Sequence, residues 1–181
     1  MNAANLSVEY ATNPMSSSHC TGESEIRTWI RFVATNAAIN RELEARLMGA
    51  HGLTLSDYDV LVQLARAPER KLRNIELARA VVLTRSGVTR LVDGLEKDGL
   101  VARSSCPSDK RGTFVALTPE GARRLREAAG THLEGVRELF VELLGQEGRE
   151  QMDALLAALP GGAACTESRA CLADPESLEV A

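Results

Sequence analysis

Ten basic residues fall within residues 69–111, and their types and spacing suit one kind of chemistry, the binding of phosphate. Six acidic residues share this stretch, so ten minus six leaves it with a net charge of +4, whereas the whole chain carries −4. Exposed charges are screened beyond about 8–10 Å at cellular salt. A local basic surface on an otherwise acidic protein can therefore still bind a polyanion such as DNA.

The first set of candidate binding residues lies in "TRSGVTRLVDGLEKDG", residues 84–99. Its apolar residues recur at spacings of three and four, which predicts an amphipathic helix with one buried side. These apolar residues are Val88, Leu91, Val92 and Leu95. The opposite side is rich in groups that can hydrogen-bond: Ser86, Thr89, Arg90, Asp93 and Lys97. Arg85 lies near the N-terminus of the helix, where side chains of a recognition helix meet base edges. A solvated polar helix face is the alternative interpretation.

The second set follows Gly99. Residues 100–103 and 113–117 each fit a short strand, and the Ser, Pro, Asp and Gly residues between them predict a hairpin loop. This loop carries Asp109, Lys110 and Arg111, and Arg103 ends the first strand. We interpret Lys110 and Arg103 as phosphate contacts.

Other helices must hold both sets of candidate binding residues in place. Apolar periodicity predicts five further elements: a long helix over residues 24–48, a helix capped by Ser56 that ends before Pro68, a short helix from Asn74, a helix of about seven turns from Pro119, and a last short helix over 152–159. Thr118 and Thr84 are the predicted caps of the helices that follow them. The third and fourth helices, joined by a tight connection, are a helix-turn-helix candidate.

The ordered series E-L-A, T-R-L-V, L-E-K-D-G-L-V, D-K-R-G and L-T-P-E-G resembles the MarR-type winged-helix transcriptional regulators. The resemblance covers residues 25–159. It implies a mainly α fold with a small β wing: a DNA-binding core over about 53–118 and dimerisation helices over about 24–49 and 119–159. Residues 1–23 and 160–181 are polar, lack a sustained apolar period and are expected to be disordered tails. A winged-helix module that binds protein instead of DNA is the alternative function.

The resemblance also implies a role for each candidate residue. Arg85, Ser86, Thr89 and Arg90 match the exposed part of the family's recognition helix, which enters the major groove of a pseudo-palindromic operator. Arg111 matches a wing-tip arginine that enters the minor groove, and Asp109 matches the acid that orients it. The family acts as a homodimer, most often as a repressor. The long first and fifth helices independently favour a dimer, since they carry more apolar surface than a small winged core can cover; packing on each other is the alternative.

Small amphipathic or phenolic ligands release many members of this family from DNA. Trp29, Ile30, His51 and Tyr58 are candidates for lining such a pocket, although core packing is the favoured role for each, and His51 can equally satisfy a backbone carbonyl. Cys106 suggests a competing thiol switch, because its oxidation could displace Arg111 on the same wing.

Other functions have little support in the sequence. We find no catalytic motif, no phosphate-binding glycine loop and no His/Cys spacing typical of a metal site, so we expect neither an enzyme nor a cofactor. The four cysteines form no C-x-x-C pair and are expected to be free thiols. No run approaches the roughly 18 apolar residues of a membrane span, and the N-terminus does not resemble a secretory signal, so the expected location is the cytoplasm.

Overall fold

The computed structural model of the protein describes residues 23–81, 85–106 and 109–161. The elements, in chain order, are α1 (Glu23–His51), α2 (Leu55–Arg66), a single 3₁₀ turn (Pro68–Arg70), β1 (Lys71–Arg73), α3 (Asn74–Ala80), α4 (Arg85–Lys97), β2 (Val101–Cys106), β3 (Asp109–Leu117), α5 (Pro119–Val136), a π-helical turn (Arg137–Val141) and α6 (Glu142–Ala157). The chain divides after Asn36 into two units, of which the second holds every element from the latter part of α1 onward. This order confirms a mainly α fold with a small sheet.

One apolar core organises the second unit. Its fully buried large side chains come from the helices α1 to α5 and the central strand: Leu47, Val60, Leu61, Leu64, Leu77, Val88, Val92, Leu95, Val115 and Leu125. With few aromatic residues in the chain, leucine and valine fill this space, as the composition predicts. The core therefore holds α4 and the sheet in fixed positions.

A capping box starts α2. The Thr54 hydroxyl accepts a bond from the Asp57 amide at 3.0 Å, and the Asp57 carboxylate accepts one from the Thr54 amide at 3.0 Å. The prediction that Ser56 caps this helix is therefore wrong, because α2 begins at Leu55, which places Thr54 at the cap and Ser56 inside the first turn.

The three strands form an antiparallel sheet in the order β1-β3-β2. The hairpin of β2 and β3 confirms the predicted wing, with Val101 opposite Leu117 and Ser105 opposite Thr113. Both strands run further toward the tip than predicted. β1, which the sequence did not predict, pairs Lys71 with Ala116 and Arg73 with Phe114.

Thr118 caps α5, since its hydroxyl accepts a bond from the Gly121 amide at 2.9 Å, as predicted. The helical path then continues through the π-helical turn into α6. The predicted break before a last helix is confirmed at Gly145, whose φ of 62° and ψ of −174° are not helical. The residues assigned to α6, which end at Ala157, therefore form two helical pieces joined at a kink. None of the described helices is long and apolar enough to cross a membrane.

Several predicted features lie outside the described residues. These are residues 1–22 and 162–181, which make up nearly all of the two predicted tails, the Thr84 cap with its connection at 82–84, and residues 107–108 at the wing tip. They stay predictions.

Candidate nucleic-acid interface

The two sides of α4 differ as the sequence predicts. Val88, Val92 and Leu95 are buried in the core. Thr89 and Arg90 are exposed on the other side. The helix packs on α3, whose Leu77 is also buried. This packing leaves the outer side of α4 facing solvent. The backbone of Arg85 and Ser86 forms the first turn of α4, whereas their side chains lie outside the described part of the molecule.

The wing extends from the same domain. Asp109, Lys110 and Arg111 form the first residues of β3, and Cys106 ends β2, but the side chains of all four lie outside the described part. Their predicted roles, including the thiol switch, are untested. At the base of the wing, Lys71 and Arg73 of β1 lie over the Phe114 ring, 5.7 and 5.5 Å from its centroid. Cation–π contact of this kind anchors β1 on the hairpin.

Arg103 faces α4. Its Nη1 lies 2.7 Å from Asp93 Oδ1 and 2.7 Å from Glu96 Oε2. Sequence reasoning identified Arg103 only as a phosphate contact and missed both carboxylates as its partners. The feature of the sequence that could have identified these partners is the pair of acids, Asp93 and Glu96, three residues apart on the helix that directly precedes the strand. The phosphate contact of Arg103 stays a prediction.

The base of the wing is joined to the start of α5 by hydrogen bonds and by close backbone packing. The Thr118 hydroxyl donates to the Gly99 carbonyl oxygen, at 2.7 Å, and the Thr118 amide donates to the Leu100 carbonyl oxygen, at 3.1 Å. A Cβ placed on Gly121 would stand 2.0 Å from the Leu100 oxygen, so only glycine fits there. The start of β2 and the first turn of α5 are therefore fixed to each other.

The candidate ligand residues have different surroundings. Trp29 and Ile30, in the first unit, are exposed. In the second unit, His51 Nε2 lies 2.8 Å from the Thr131 hydroxyl, and the His51 carbonyl accepts a bond from Arg124. These bonds join the end of α1 to α5. Among the described contacts, the His51 ring lies against a hydroxyl and not against the backbone carbonyl that the alternative interpretation expected.

Tyr58 is buried against a histidine that sequence reasoning did not single out. Its ring centroid lies 4.5 Å from that of His132, on α5. Burial, reinforced by the negative charge of Asp59, raises the pKa of Tyr58 to about 12. Burial also lowers the pKa of His132 below its ordinary value. The pair is neutral near pH 7 and apolar in character, which suits packing or contact with an aromatic ligand.

Within the described residues, no three His, Cys, Asp or Glu side chains converge on a point that could hold a metal ion. On the outer side of α4, the described part of the molecule presents the Thr89 hydroxyl and the Arg90 guanidinium to solvent. Such groups bind phosphates and base edges.

Comparison with known proteins agrees with this arrangement. The sequence model of the MarR family matches residues 51–112, from the end of α1 into β3. The transcriptional repressor YetL of Bacillus subtilis (strain 168) is 30% identical over 118 residues, which are 59% of this chain and 70% of YetL. The MarR family regulator Sco3205 of Streptomyces coelicolor, solved in complex with DNA, is 33% identical with a TM-score of 0.75 over 80% of this chain and 91% of Sco3205. AbsC of the same organism is 31% identical, with a TM-score of 0.71 over 77% of this chain and 93% of AbsC.

Proposed function

Because the chain belongs to the MarR family of winged-helix transcriptional regulators, we propose that it is a repressor that binds a pseudo-palindromic DNA operator as a homodimer. The observation that carries the proposal is the division of α4 into a buried apolar side and an exposed polar side beside a two-stranded wing. Support for DNA as the ligand comes from Sco3205, which was solved with DNA, and support for repression comes from YetL. A repressor of chromosomal genes works in the cytoplasm.

Each candidate residue takes a distinct role in this proposal. Arg85 and Arg90 contact guanine edges or phosphates in the major groove, where one bidentate arginine discriminates between bases by about 1–3 kcal/mol. Ser86 and Thr89 position the helix. Arg111, oriented by Asp109, enters the minor groove, and Lys110 contacts phosphate.

The dimer is supported by large apolar side chains that stand in solvent on the terminal helices. On α1 these are Ile26, Trp29, Ile30, Phe32 and Val33, and on α6 they are Leu143, Leu155 and Leu159. Apolar surface of this kind marks an interface. A second copy of the chain is the partner that the family implies, and its two-fold axis would match the symmetry of the operator.

The proposed signal is a small amphipathic or phenolic molecule that lowers operator affinity. Support comes from the neutral Tyr58–His132 ring pair, which lies where α2 packs against α5. A panel of aromatic carboxylates and phenols, added to the preformed DNA complex, tests this part. Release by at least one ligand, together with a raised melting temperature of the free protein, is the expected result.

The DNA-binding proposal is tested by fluorescence anisotropy on a duplex selected in vitro from random-sequence DNA by the protein. We expect nanomolar binding whose affinity falls steeply with salt, since each neutralised phosphate contributes a slope of about −0.9 in log K against log salt. Failure to enrich any sequence, or binding insensitive to salt, would favour the winged-helix protein-interaction module instead.

A further inference from the structure

Arg103, on β2, bonds to three residues of α4. Its Nη1 lies 2.7 Å from both Asp93 Oδ1 and Glu96 Oε2, and its Nη2 donates to the Thr89 carbonyl oxygen at 3.3 Å. The other carboxylate oxygen of Glu96 accepts a bond from the Arg103 backbone amide at 3.0 Å. One residue of the wing is thus joined to the recognition helix by its side chain and by its main chain.

The charges around Arg103 suit a bond inside the protein better than a contact with DNA. The Arg103 side chain is 24% exposed, whereas those of Asp93 and Glu96 are 58% and 40% exposed. One guanidinium between two carboxylates leaves a net charge of −1. A DNA phosphate at this guanidinium would be a third anion beside two carboxylates, which it would repel. Both terminal nitrogens of Arg103 already have acceptors on α4.

The three acceptors lie along one side of the helix. Thr89, Asp93 and Glu96 are at positions i, i+4 and i+7, so they stack over two turns. A side chain that bonds to all three resists rotation of α4 about its own axis. That rotation decides where Thr89 and Arg90 point, and a displacement of 1 Å or a rotation of 10–20° is enough to spoil a recognition geometry.

We propose that Arg103 is a positioning residue that fixes the recognition helix α4 against the wing, with Glu96 and Asp93 as its anchors, and that it does not contact phosphate. This inference rests on the proposed function and replaces the phosphate contact expected from the sequence. It also assigns Glu96, an acid beside a DNA-binding surface, a favourable part in DNA binding.

Alanine substitution of Glu96 distinguishes the two possible roles of Arg103, positioning of α4 and contact with phosphate, because they predict opposite changes in operator affinity. If Arg103 positions α4, Glu96→Ala weakens binding to the in vitro selected duplex about tenfold, because the anchor is lost. If Arg103 contacts phosphate, the same change strengthens binding, since it removes a repelling charge and frees the arginine. Asp98→Ala is the matched control: it removes an exposed acid two residues further on and is expected to leave binding unchanged or slightly stronger.

Two arginine variants complete the test. Arg103→Ala is expected to weaken binding about tenfold with no change in the salt slope, whereas loss of a phosphate contact would reduce the slope by about one. Arg103→Lys keeps the charge but not the planar fork that reaches several acceptors, so it is expected to bind about as weakly as Arg103→Ala. In the double variant with Arg103→Ala, Glu96→Ala should cause no further loss of operator affinity. Tighter or unchanged binding by Glu96→Ala, or near-normal binding by Arg103→Lys, would overturn the proposal.

Hydrogen exchange in the absence of DNA gives a readout that does not depend on the proposed function. Arg103→Lys and Glu96→Ala are expected to raise amide exchange across α4 at least threefold, with α2 and α5 unchanged, and Asp98→Ala is expected to change neither. Unaltered exchange in α4 would overturn the positioning role even if no DNA is bound by any form of the protein. Absence of DNA binding by the wild-type chain, with exchange altered as expected, would instead refute only the proposed function.

Discussion

Large apolar side chains are buried in the winged part of the molecule but exposed in the first part of α1 and on α6. In α2 and α4, the large residues Leu61, Leu64, Val88 and Val92 are fully buried. On the terminal helices, Trp29 is 62%, Leu155 68% and Leu143 78% exposed. Burial of such a side chain is favourable by roughly 1.5–3 kcal/mol. The winged part therefore completes its own core, whereas the first part of α1 and α6 leave large apolar side chains exposed among the described residues.

The largest effect should follow from a change in that uncovered surface. Trp29→Asp replaces an apolar contact by a charge in each protomer, a loss of about 3 kcal/mol per copy. Because the change occurs twice in a two-fold dimer, the dissociation constant of the dimer should rise about 10⁴-fold. Sedimentation velocity at micromolar concentration would then show a monomer. Thr35→Asp is the control, since Thr35 is exposed and lies about 120° around α1 from Trp29. Equal sedimentation of both variants would contradict a dimer through this surface.

A change inside the winged part should act on folding instead. Gly121→Ala places a Cβ 2.0 Å from the Leu100 carbonyl oxygen, and relief of this clash requires the backbone to move. We expect a loss of about 3 kcal/mol in the free energy of unfolding, measured by urea titration. Gly130→Ala, in the same helix but with nothing within 4 Å, should gain up to about 1 kcal/mol. Equal effects of the two substitutions would refute the close joint between β2 and α5.

Removal of a candidate DNA contact should change affinity while the fold stays intact. Arg90→Ala is expected to weaken operator binding by about 1–3 kcal/mol and to relax the choice of one base pair. Arg123→Ala removes the same charge from α5, where Arg123 pairs with Glu120 and Glu127, and should leave operator binding within a factor of two or so. A loss shared by both variants would show that overall charge, and not a base contact, determines affinity.

The smallest effect concerns pH. Because burial lowers the pKa of His132, the unfolded chain takes up a proton first as the pH falls through about 6.5, and the folded protein loses stability from there down to the lowered pKa. His132→Phe keeps the ring against Tyr58 and also removes a buried Nδ1 that has no partner among the described residues. Urea unfolding at pH 7.5 and 5.5 should show a smaller drop for this variant than for the wild type. An unchanged drop would mean that other groups cause it.

The predictions from sequence were most accurate for features that depend on residues close together in the chain. The apolar stripe of α4 and the Thr118 cap were correct, because the first follows from a helical period and the second from a threonine directly before proline. β1 was missed because Lys71–Arg73 is too short for strand alternation and exists only through its pairing with β3. The break before the last helix was predicted correctly, because Gly145 adopts a positive φ that interrupts the helix.

The candidate site was predicted only to the level of single residues. Thr89 and Arg90 were placed correctly on the exposed side of α4, as the helical period requires. The partners of Arg103 were not foreseen, because the contact joins residues 7 and 10 positions apart across the turn at Gly99, and sequence spacing does not reveal how a strand folds back on a helix. Polar side chains at such a joint depend on tertiary structure.

Footprinting of the protein on the DNA upstream of its own gene tests whether it binds an operator as a dimer. We expect protection of two half-sites about one helical turn apart on one face of the duplex, because two recognition helices in a dimer occupy successive major grooves. We expect Trp29→Asp, as a monomer, to lose this footprint at the same concentration. Protection of a lone half-site by the wild-type protein, or an unchanged footprint with the monomeric variant, would contradict binding as a dimer.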